Sequence, residues 1–378
     1  MDKKRAIAFV CTSSSFGGLE MNMVRLAKWI QDAGYYNVLM LGVENAPLMR
    51  MAKELGLSSA FIKRYTEYID VKAAWKLKRL LKFLNVSVVF TAYNKDLSML
   101  GLLKNLLRSK VRLVYQQQMN ITFKKKDLIH TIRYAALDIW ISPLESMKQD
   151  VLKYTRLKPN KIKVIPLCVD VKDLLKHKVS KDEALKVLHI KPNAPLLGVM
   201  GRIDQQKRQL LLLEAALLLR KRGVDVEVLL VGEPTRNEPP VYMEKLKSFV
   251  EENNMHNYVY FRPFMNDVAA FYRAIDIFVM SSIKEPFGMV TVEAMVYKTP
   301  IIGSGAGGTM ELLTGFDDCG LLFEPDNMED LADKIQELLS NPDLAEQRVK
   351  RAFDVASKCL SREVECEMIK EDVIEPLF

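Results

Sequence analysis

The sequence is short of the residue types that several kinds of chemistry need. Its four histidines, at 130, 177, 189 and 256, are scattered, and no H-E-x-x-H occurs. No local Ser–His–Asp arrangement is present. Five cysteines, at 11, 168, 319, 359 and 366, are odd in number and dispersed. They suggest neither a disulfide framework nor a zinc site, and a reducing compartment is expected. No run of 18 apolar residues occurs, so no bilayer-spanning helix is expected. The basic start, Met1 to Arg5, leads into a short apolar run that breaks at Thr12–Ser15, unlike a signal peptide. With 17 glycines and 15 prolines, the chain is neither collagen-like nor low-complexity. No solenoid-period repeat is evident.

What is present is an ordinary supply of core and surface. The 378 residues are 49% apolar and 27% charged, enough for two domains. The net charge of +8 hides a split. Residues 1–190 carry 34 basic and 16 acidic residues, and residues 191–378 carry 21 and 31. A basic half suits anionic lipid, nucleic acid or a phosphorylated substrate.

Apolar strands interleave with helices along the whole chain. Ala6–Cys11, Val38–Leu41, Val86–Phe90, Arg112–Gln116, Ile139–Ser142 and Ile162–Pro166 read as strands of the first half. Pro195–Gly201, Val226–Val231, Val259–Phe261, Ile277–Met280 and Pro300–Gly303 read as strands of the second. Runs without strict alternation fit parallel strands covered on both faces. The expected fold class is α/β, with two Rossmann-like, doubly wound domains. The boundaries are 1–170, a Lys/Asp-rich linker at 171–194, a second domain at 195–358, and a C-terminal helix at 359–378 returning to the first domain. Sheets of this kind bind ligands beyond their strand C-termini, so a cleft between the domains is the expected site.

Four segments could carry chemistry. Gly17-Gly18 opens the first helix, where backbone amides can meet an anion; a tight turn is the plain alternative. Gly201-Arg202 leaves a strand, and Lys207-Arg208 follows. Fixed cations at a helix start suit a phosphate, or form a solvated basic turn. Glu285-Pro286-Phe287-Gly288 precedes a helix holding Glu293, whose charge lies in a mostly apolar run. That carboxylate needs hydroxyl ligands or a structural cation. Gly303 to Gly308 is a second candidate nest of amide donors, or a tight turn. Trp75 to Leu84 and Gly101 to Arg108 are cationic and amphipathic, and Lys124-Lys125-Lys126 adds charge. Such segments lie on anionic membranes, or pack their apolar faces on a sheet.

Together these residues resemble the retaining glycosyltransferases of family 4, which have the GT-B fold. Ser281 to Ala294, with Glu285 and Glu293 eight apart, is similar to that family's E-x7-E signature. Thr299–Ile302 and Gly307–Glu311 continue it, Gly201–Lys207 resembles its donor-phosphate segment, and Gly17–Glu20 its N-terminal glycine loop. The resemblance implies that Arg202 and Lys207 hold the donor diphosphate and that Glu285 contacts the transferred sugar. It also implies that Phe287, Gly288, Met289 and Thr291 lie along the donor, that Glu293 binds ribose and that Arg262 borders the base. By the same resemblance, Gly17 and Gly18 would approach the phosphates. Gln118 stands near where many members have a histidine, Arg208 where a glycine is frequent, and Leu167-Cys168 where Asn-Gly is common.

The expected function is metal-independent, retaining hexosyl transfer from a nucleoside-diphosphate sugar, UDP- or GDP-linked, with no further cofactor. The acceptor is a hydroxyl of a glycan or glycolipid in cell-surface polysaccharide or lipopolysaccharide synthesis. A nucleotide-sugar epimerase on the same fold and a non-catalytic sugar- or membrane-binding protein are the alternatives. The acidic second half disfavours a nucleic-acid partner. The expected location is cytoplasmic, peripheral on the membrane through the basic first domain.

Overall fold

The computed structural model describes residues 5–63, 70–176, 178–234, 239–265 and 267–378. Met1–Lys4 and His177 therefore lie outside the described residues. The chain divides into two compact units, residues 1–167 with 362–378, and residues 168–361.

The first unit holds seven strands: β1 (Ala6–Cys11), β2 (Asn37–Gly42), β3 (Ser58–Phe61), β4 (Val86–Thr91), β5 (Arg112–Gln116), β6 (Ile139–Ser142) and β7 (Ile162–Val164). They pair in parallel, in the order β3-β2-β1-β4-β5-β6-β7. Helices α1 (Gly18–Ala33), α2 (Pro47–Glu54), α3 (Val71–Phe83), α4 (Asp96–Asn105), α5 (Leu128–Ala135) and α6 (Glu145–Tyr154) connect them. The alternation of a strand explains the two cores. Ile7, Phe9 and Cys11 face one apolar cluster, and Ala6, Ala8 and Val10 face another. Met23, Leu26, Ala27 and Ile30, spaced along one stripe of α1, close the first cluster. On α3 the buried stripe is Ala74, Leu77 and Leu81, while Val71, Trp75 and Phe83 are exposed.

The second unit starts with two helices, α7 (Val171–Leu174) and α8 (Lys181–Val187), where the sequence suggests a linker. They are fastened to this unit. Tyr297 donates its hydroxyl to the Leu174 carbonyl at 2.7 Å, and Lys181 pairs with Asp276 at 2.5 Å. Ser180 and Glu183 form a reciprocal capping box at the start of α8. Strands β8 (Leu196–Met200), β9 (Glu227–Val231), β10 (Val259–Arg262), β11 (Ile277–Met280), β12 (Ile301–Ser304) and β13 (Leu321–Phe323) form a parallel sheet ordered β10-β9-β8-β11-β12-β13. Its helices are α9 (Gln209–Lys221), α10 (Val241–Glu252), α11 (Ala269–Ala274), α12 (Met289–Val296), α13 (Gly307–Thr314), α14 (Met328–Ser340) and α15 (Pro342–Lys358). In both sheets the strand order reverses beside the first strand of the unit, which marks the ligand-binding edge of doubly wound sheets.

The chain then re-enters the first unit. Helix α16 (Arg362–Met368) and the turns after it place Ile369, Val373 and Ile374 in the cluster that α1 closes. Each buried side chain of this size contributes about 1.5–3 kcal/mol. Gln116 at the end of β5 donates to Glu365 at 3.1 Å, both buried.

Candidate functional site

The strand ends of the second unit gather residues far apart in sequence. Gly201 follows β8, and its carbonyl lies 1.8 Å from where a Cβ on Gly232, after β9, would stand. Two neighbouring strand exits therefore meet at a contact only glycine permits. Beyond it, Asp204 accepts from the amides of Gln206 and Lys207, at 2.9 and 3.1 Å, and fixes a tight 3₁₀ turn. Ser281 and Ser282, leaving β11, donate to the carbonyls of Lys207 and Gln206, at 2.7 and 3.2 Å. The turn is thus clamped from both sides.

That clamp brings Lys207 onto Glu285, 78 residues later, as a direct ion pair. Both side chains are mostly buried, at 19 and 14% exposure, which is low enough for solvent screening to be weak. Arg202 is 59% exposed and touches Asp204 at 3.3 Å. It joins the turn, yet lies outside the Lys207–Glu285 pair.

Glu285 is held through its backbone as well. Gly308 donates its amide to the Glu285 carbonyl at 2.8 Å. Gly307, with φ +60°, passes so close that a Cβ would stand 2.9 Å from that carbonyl. Gly305 donates to Phe323 at 2.8 Å. The glycine loop expected as an open nest therefore spends at least two amides on protein, and its shape answers to Glu285. Gly288 stands between Glu285 and Thr291, 3.3 Å from each by its missing Cβ. Thr291 Oγ1, Ser304 Oγ and Thr309 Oγ1 are buried and have no hydrogen-bond partner among the described residues. Phe287 is buried, and Met289 is the first residue of α12.

Glu293 lies one helical turn further into α12 and is 9% exposed. The Tyr272 hydroxyl sits 3.1 Å from its Oε2 and 2.7 Å from the Val290 carbonyl. Burial, then the adjacent Glu293 charge, push the Tyr272 hydroxyl well above its ordinary range, so it stays a proton donor. Tyr272 stacks on Tyr297, with ring centroids 5.2 Å apart. Sequence reading missed Tyr272. Only its placement in the apolar run of α11 hinted at a buried hydroxyl in need of a partner.

Arg262 is anchored to backbone. Its guanidinium donates to the carbonyls of Leu188, His189 and Phe261, at 2.5, 2.7 and 2.7 Å. It closes the C-terminus of α8, where a cation also complements the helix dipole.

In the first unit, Gly17 and Gly18 start α1, but a carboxylate occupies the loop. Glu20 accepts the Gly17 amide at 2.9 Å and the Ser13 hydroxyl at 2.5 Å. Ser13 in turn accepts the Ser15 amide at 3.1 Å. Thr12 is tied by its amide, at 3.0 Å, and by its hydroxyl to buried Asp96. These charges, with burial as the larger cause, raise the Cys11 thiol to about 12. Gly18 has open space around its missing Cβ. Gly18→Ala is therefore expected to hold the melting temperature within about 2 °C or raise it, since alanine is the better helix residue. Thermal denaturation checks this, and a larger drop would contradict the open geometry. Gln118, past the end of β5, accepts from Asn22 at 3.1 Å, while its Nε2 is buried without a partner among the described residues.

Among the described residues, no group of three or more His, Cys, Asp or Glu side chains converges as a metal site.

Comparison with known proteins follows the same division. Residues 180–355 match the family model described as glycosyl transferases group 1, and residues 16–173 that described as glycosyltransferase family 4. D-inositol 3-phosphate glycosyltransferase of Corynebacterium urealyticum is 30% identical over 175 residues, 45% of this chain and 40% of that protein. Lipopolysaccharide core biosynthesis mannosyltransferase LpsB of Rhizobium meliloti is 28% identical over 154 residues, 40% of this chain and 44% of that protein. The chain spans about half the length of the curated relatives it matches. A glycosyltransferase structure from Rickettsia africae superposes with TM-score 0.85 and 20% identity, over 98% of this chain and 97% of that one. Anabaena Alr3699/HepE, solved with UDP-glucose, superposes with TM-score 0.80 and 20% identity, over 97 and 99%. At such identities the superpositions speak for fold. With one model inside the second unit and the other largely over the first, the protein is a GT-B-fold chain related to the glycosyl transferases group 1 and glycosyltransferase family 4 proteins.

Proposed function

We propose that the chain is a retaining, metal-independent glycosyltransferase that moves a hexose from a UDP- or GDP-sugar to a hydroxyl of a glycan or glycolipid. The observation that carries this reading is the mostly buried Lys207–Glu285 pair at the strand ends, flanked by Gly288 and the orphaned Thr291 hydroxyl. In the reaction, negative charge grows on the departing diphosphate and positive charge on the sugar. Lys207 is a fixed ammonium for the first, preorganised by the Asp204 turn, and Arg202 adds a second cation. Glu285 occupies the ammonium until the donor arrives, then accepts hydrogen bonds from sugar hydroxyls. Glu293, steadied by Tyr272, serves the ribose. These two protein cations supply charge that a metal supplies elsewhere, which supports metal independence. Among the relatives, the lipopolysaccharide core mannosyltransferase supports an acceptor in cell-surface polysaccharide or lipopolysaccharide synthesis. The setting proposed is the cytoplasm, including its membrane face.

The test is calorimetry against UDP-, GDP-, ADP-, TDP- and CMP-sugars, with and without EDTA. Binding of one UDP- or GDP-sugar unaffected by EDTA is expected. Binding that EDTA abolishes would overturn metal independence, and no binding to any would overturn the transferase reading. Consumption of the donor without an acceptor, giving an isomeric nucleotide-sugar, would replace it with an epimerase.

A further inference from the structure

Two residues at the strand ends of the second unit hold a backbone conformation that their side chains disfavour. Arg208 has φ +54° and ψ +33°, and Asp326 has φ +60°. Both lie in the left-handed region, which glycine enters freely and arginine rarely. Of the nine such non-glycine residues described, these two alone bond to each other through their side chains. Arg208 follows Lys207 directly, at the position where glycine is frequent in the family that the sequence resembles. A strained residue persists only where its surroundings hold it, and such residues gather at functional sites.

The bend at Arg208 has a local cause. The 3₁₀ turn Gln205–Lys207 ends there and α9 begins, so the chain changes direction within one residue. The Arg208 carbonyl accepts from Leu211 at 3.0 Å and so opens the helix. Glycine would make this joint at lower cost. What arginine adds is its side chain. The guanidinium meets the Asp326 carboxylate twice, Nε on Oδ1 at 3.1 Å and Nη2 on Oδ2 at 3.1 Å. Such a two-pronged pair fixes direction as well as distance.

Stability is a poor reason for the pair. Its side chains are 37 and 50% exposed, a range in which ion pairs contribute marginally. Its place is a better one. Arg208 stands past the exit of β8, and Asp326 lies between β13 and α14, 118 residues later. Strands β11 and β12 run between β8 and β13 in the sheet, and their exits carry Glu285 and the glycine loop. Helices α9 and α14 share one apolar cluster through Leu211, Leu212, Leu331 and Ala332, so the two ends of the pair rest on a packed base. Ser281, Ser282 and Gln209 hold the turn by its carbonyls, at Lys207, Gln206 and Arg202. The Arg208–Asp326 pair anchors the joint where the turn meets α9.

We propose that Arg208 is a positioning residue for Lys207: gripped by Asp326, it holds the turn so that the ammonium faces the diphosphate of a nucleotide-sugar. The inference rests on the transferase reading. Arg208 acts through Asp326 and does not itself touch the donor, so removing either partner has the same effect.

The test uses the full chain and its Arg208→Gly, Asp326→Asn and double variants. UDP-glucose and GDP-mannose are titrated by calorimetry, and release of UDP or GDP is followed with water as the acceptor. Each single variant is expected to lower kcat about three- to tenfold, with donor affinity within about twofold, and the double variant to fall no further than either. Melting temperatures should stay within about 2 °C, because glycine relieves the strained backbone as the ion pair is lost. In the free protein, exchange of the Gln206 and Lys207 amides, which Asp204 accepts, should quicken at least about threefold in both single variants. Unchanged turnover and exchange in both would overturn the proposal, as would additive losses in the double variant. Weaker donor binding in Arg208→Gly with equal or tighter binding in Asp326→Asn would also overturn it, since Arg208 would then be a donor ligand that Asp326 restrains. If the unaltered chain binds neither nucleotide-sugar, the transferase reading fails, and amide exchange still decides whether the pair holds the turn.

Discussion

Lys207→Ala is expected to lower the turnover of a UDP- or GDP-sugar by about 10²–10³, the loss usual when one fixed donor to a developing anion is removed. Glu285→Gln is expected to fall by a similar factor, and the double variant by little more than either alone. The non-additivity follows from the structure. The two side chains contact each other directly, and the Lys207 turn is clamped by Ser281 and Ser282, which leave the strand that leads to Glu285. Groups that act as one unit lose nearly everything when one is removed. Stability should move less. Lys207→Ala leaves a carboxylate that is 14% exposed without its cation, a cost of up to about 3 kcal/mol, reduced by the remaining solvent contact. Glu285→Gln keeps the shape and is the cleaner probe. Single-turnover rates and donor affinity, measured on variants that melt normally, decide the matter. Fully additive losses, or unaltered rates in both single variants, would remove this pair from the chemistry.

The second large effect concerns folding. Gly232→Ala is expected to destabilise the second unit by about 3–5 kcal/mol, lowering its melting temperature by about 10 °C. Two causes combine. Gly232 has φ +154°, which side-chain-bearing residues avoid, and its Cβ would stand 1.8 Å from the Gly201 carbonyl oxygen. Backbone cannot yield as a flexible side chain does. Gly232 donates to Arg262 at 2.9 Å, and Gly201 donates to Val231 at 3.0 Å, so both partners are anchored to the sheet. Calorimetric melting resolves the outcome. A variant melting within about 2 °C of the unaltered chain would show that the β8 and β9 exits can separate at little cost.

The parallel strands buried on both faces were legible because burial removes polar residues from the whole run. Ala6–Cys11, Leu196–Met200 and Ile277–Met280 have no exposed side, and their sequences say so. Strand β3 was missed for the opposite reason. Ser58-Ser59-Ala60-Phe61 is an edge strand, largely exposed, held by backbone pairing that leaves no apolar pattern. The helices α7 and α8 were hidden by their lysines and aspartates, although the Ser180–Glu183 capping box was a readable start signal.

In the candidate site, residue types were legible and pairings were not. The family resemblance sets Arg262 beside the base; in the structure its guanidinium donates to two carbonyls at the end of α8 and to its neighbour Phe261. The glycines at 305–308 read in the sequence as close approach by a ligand or as a tight turn. The object they approach is the backbone of Glu285, and no local pattern announces a contact over that separation. Glu20 shows the same limit in the first unit, because a loop expected to welcome an anion already holds one of its own.

The first unit is discontinuous in the chain, with residues 168–361 standing between its two parts. Synthesis runs in one direction, so the ribosome delivers Ile369, Val373 and Ile374 only after the whole second unit has emerged. Until then, the cluster beneath α1 lacks part of its apolar cover while its neighbour can already be complete. The first unit is therefore expected to close its core only after the later-encoded unit has emerged. The interval in which the first unit waits for its last segment is when the nascent chain most needs a chaperone.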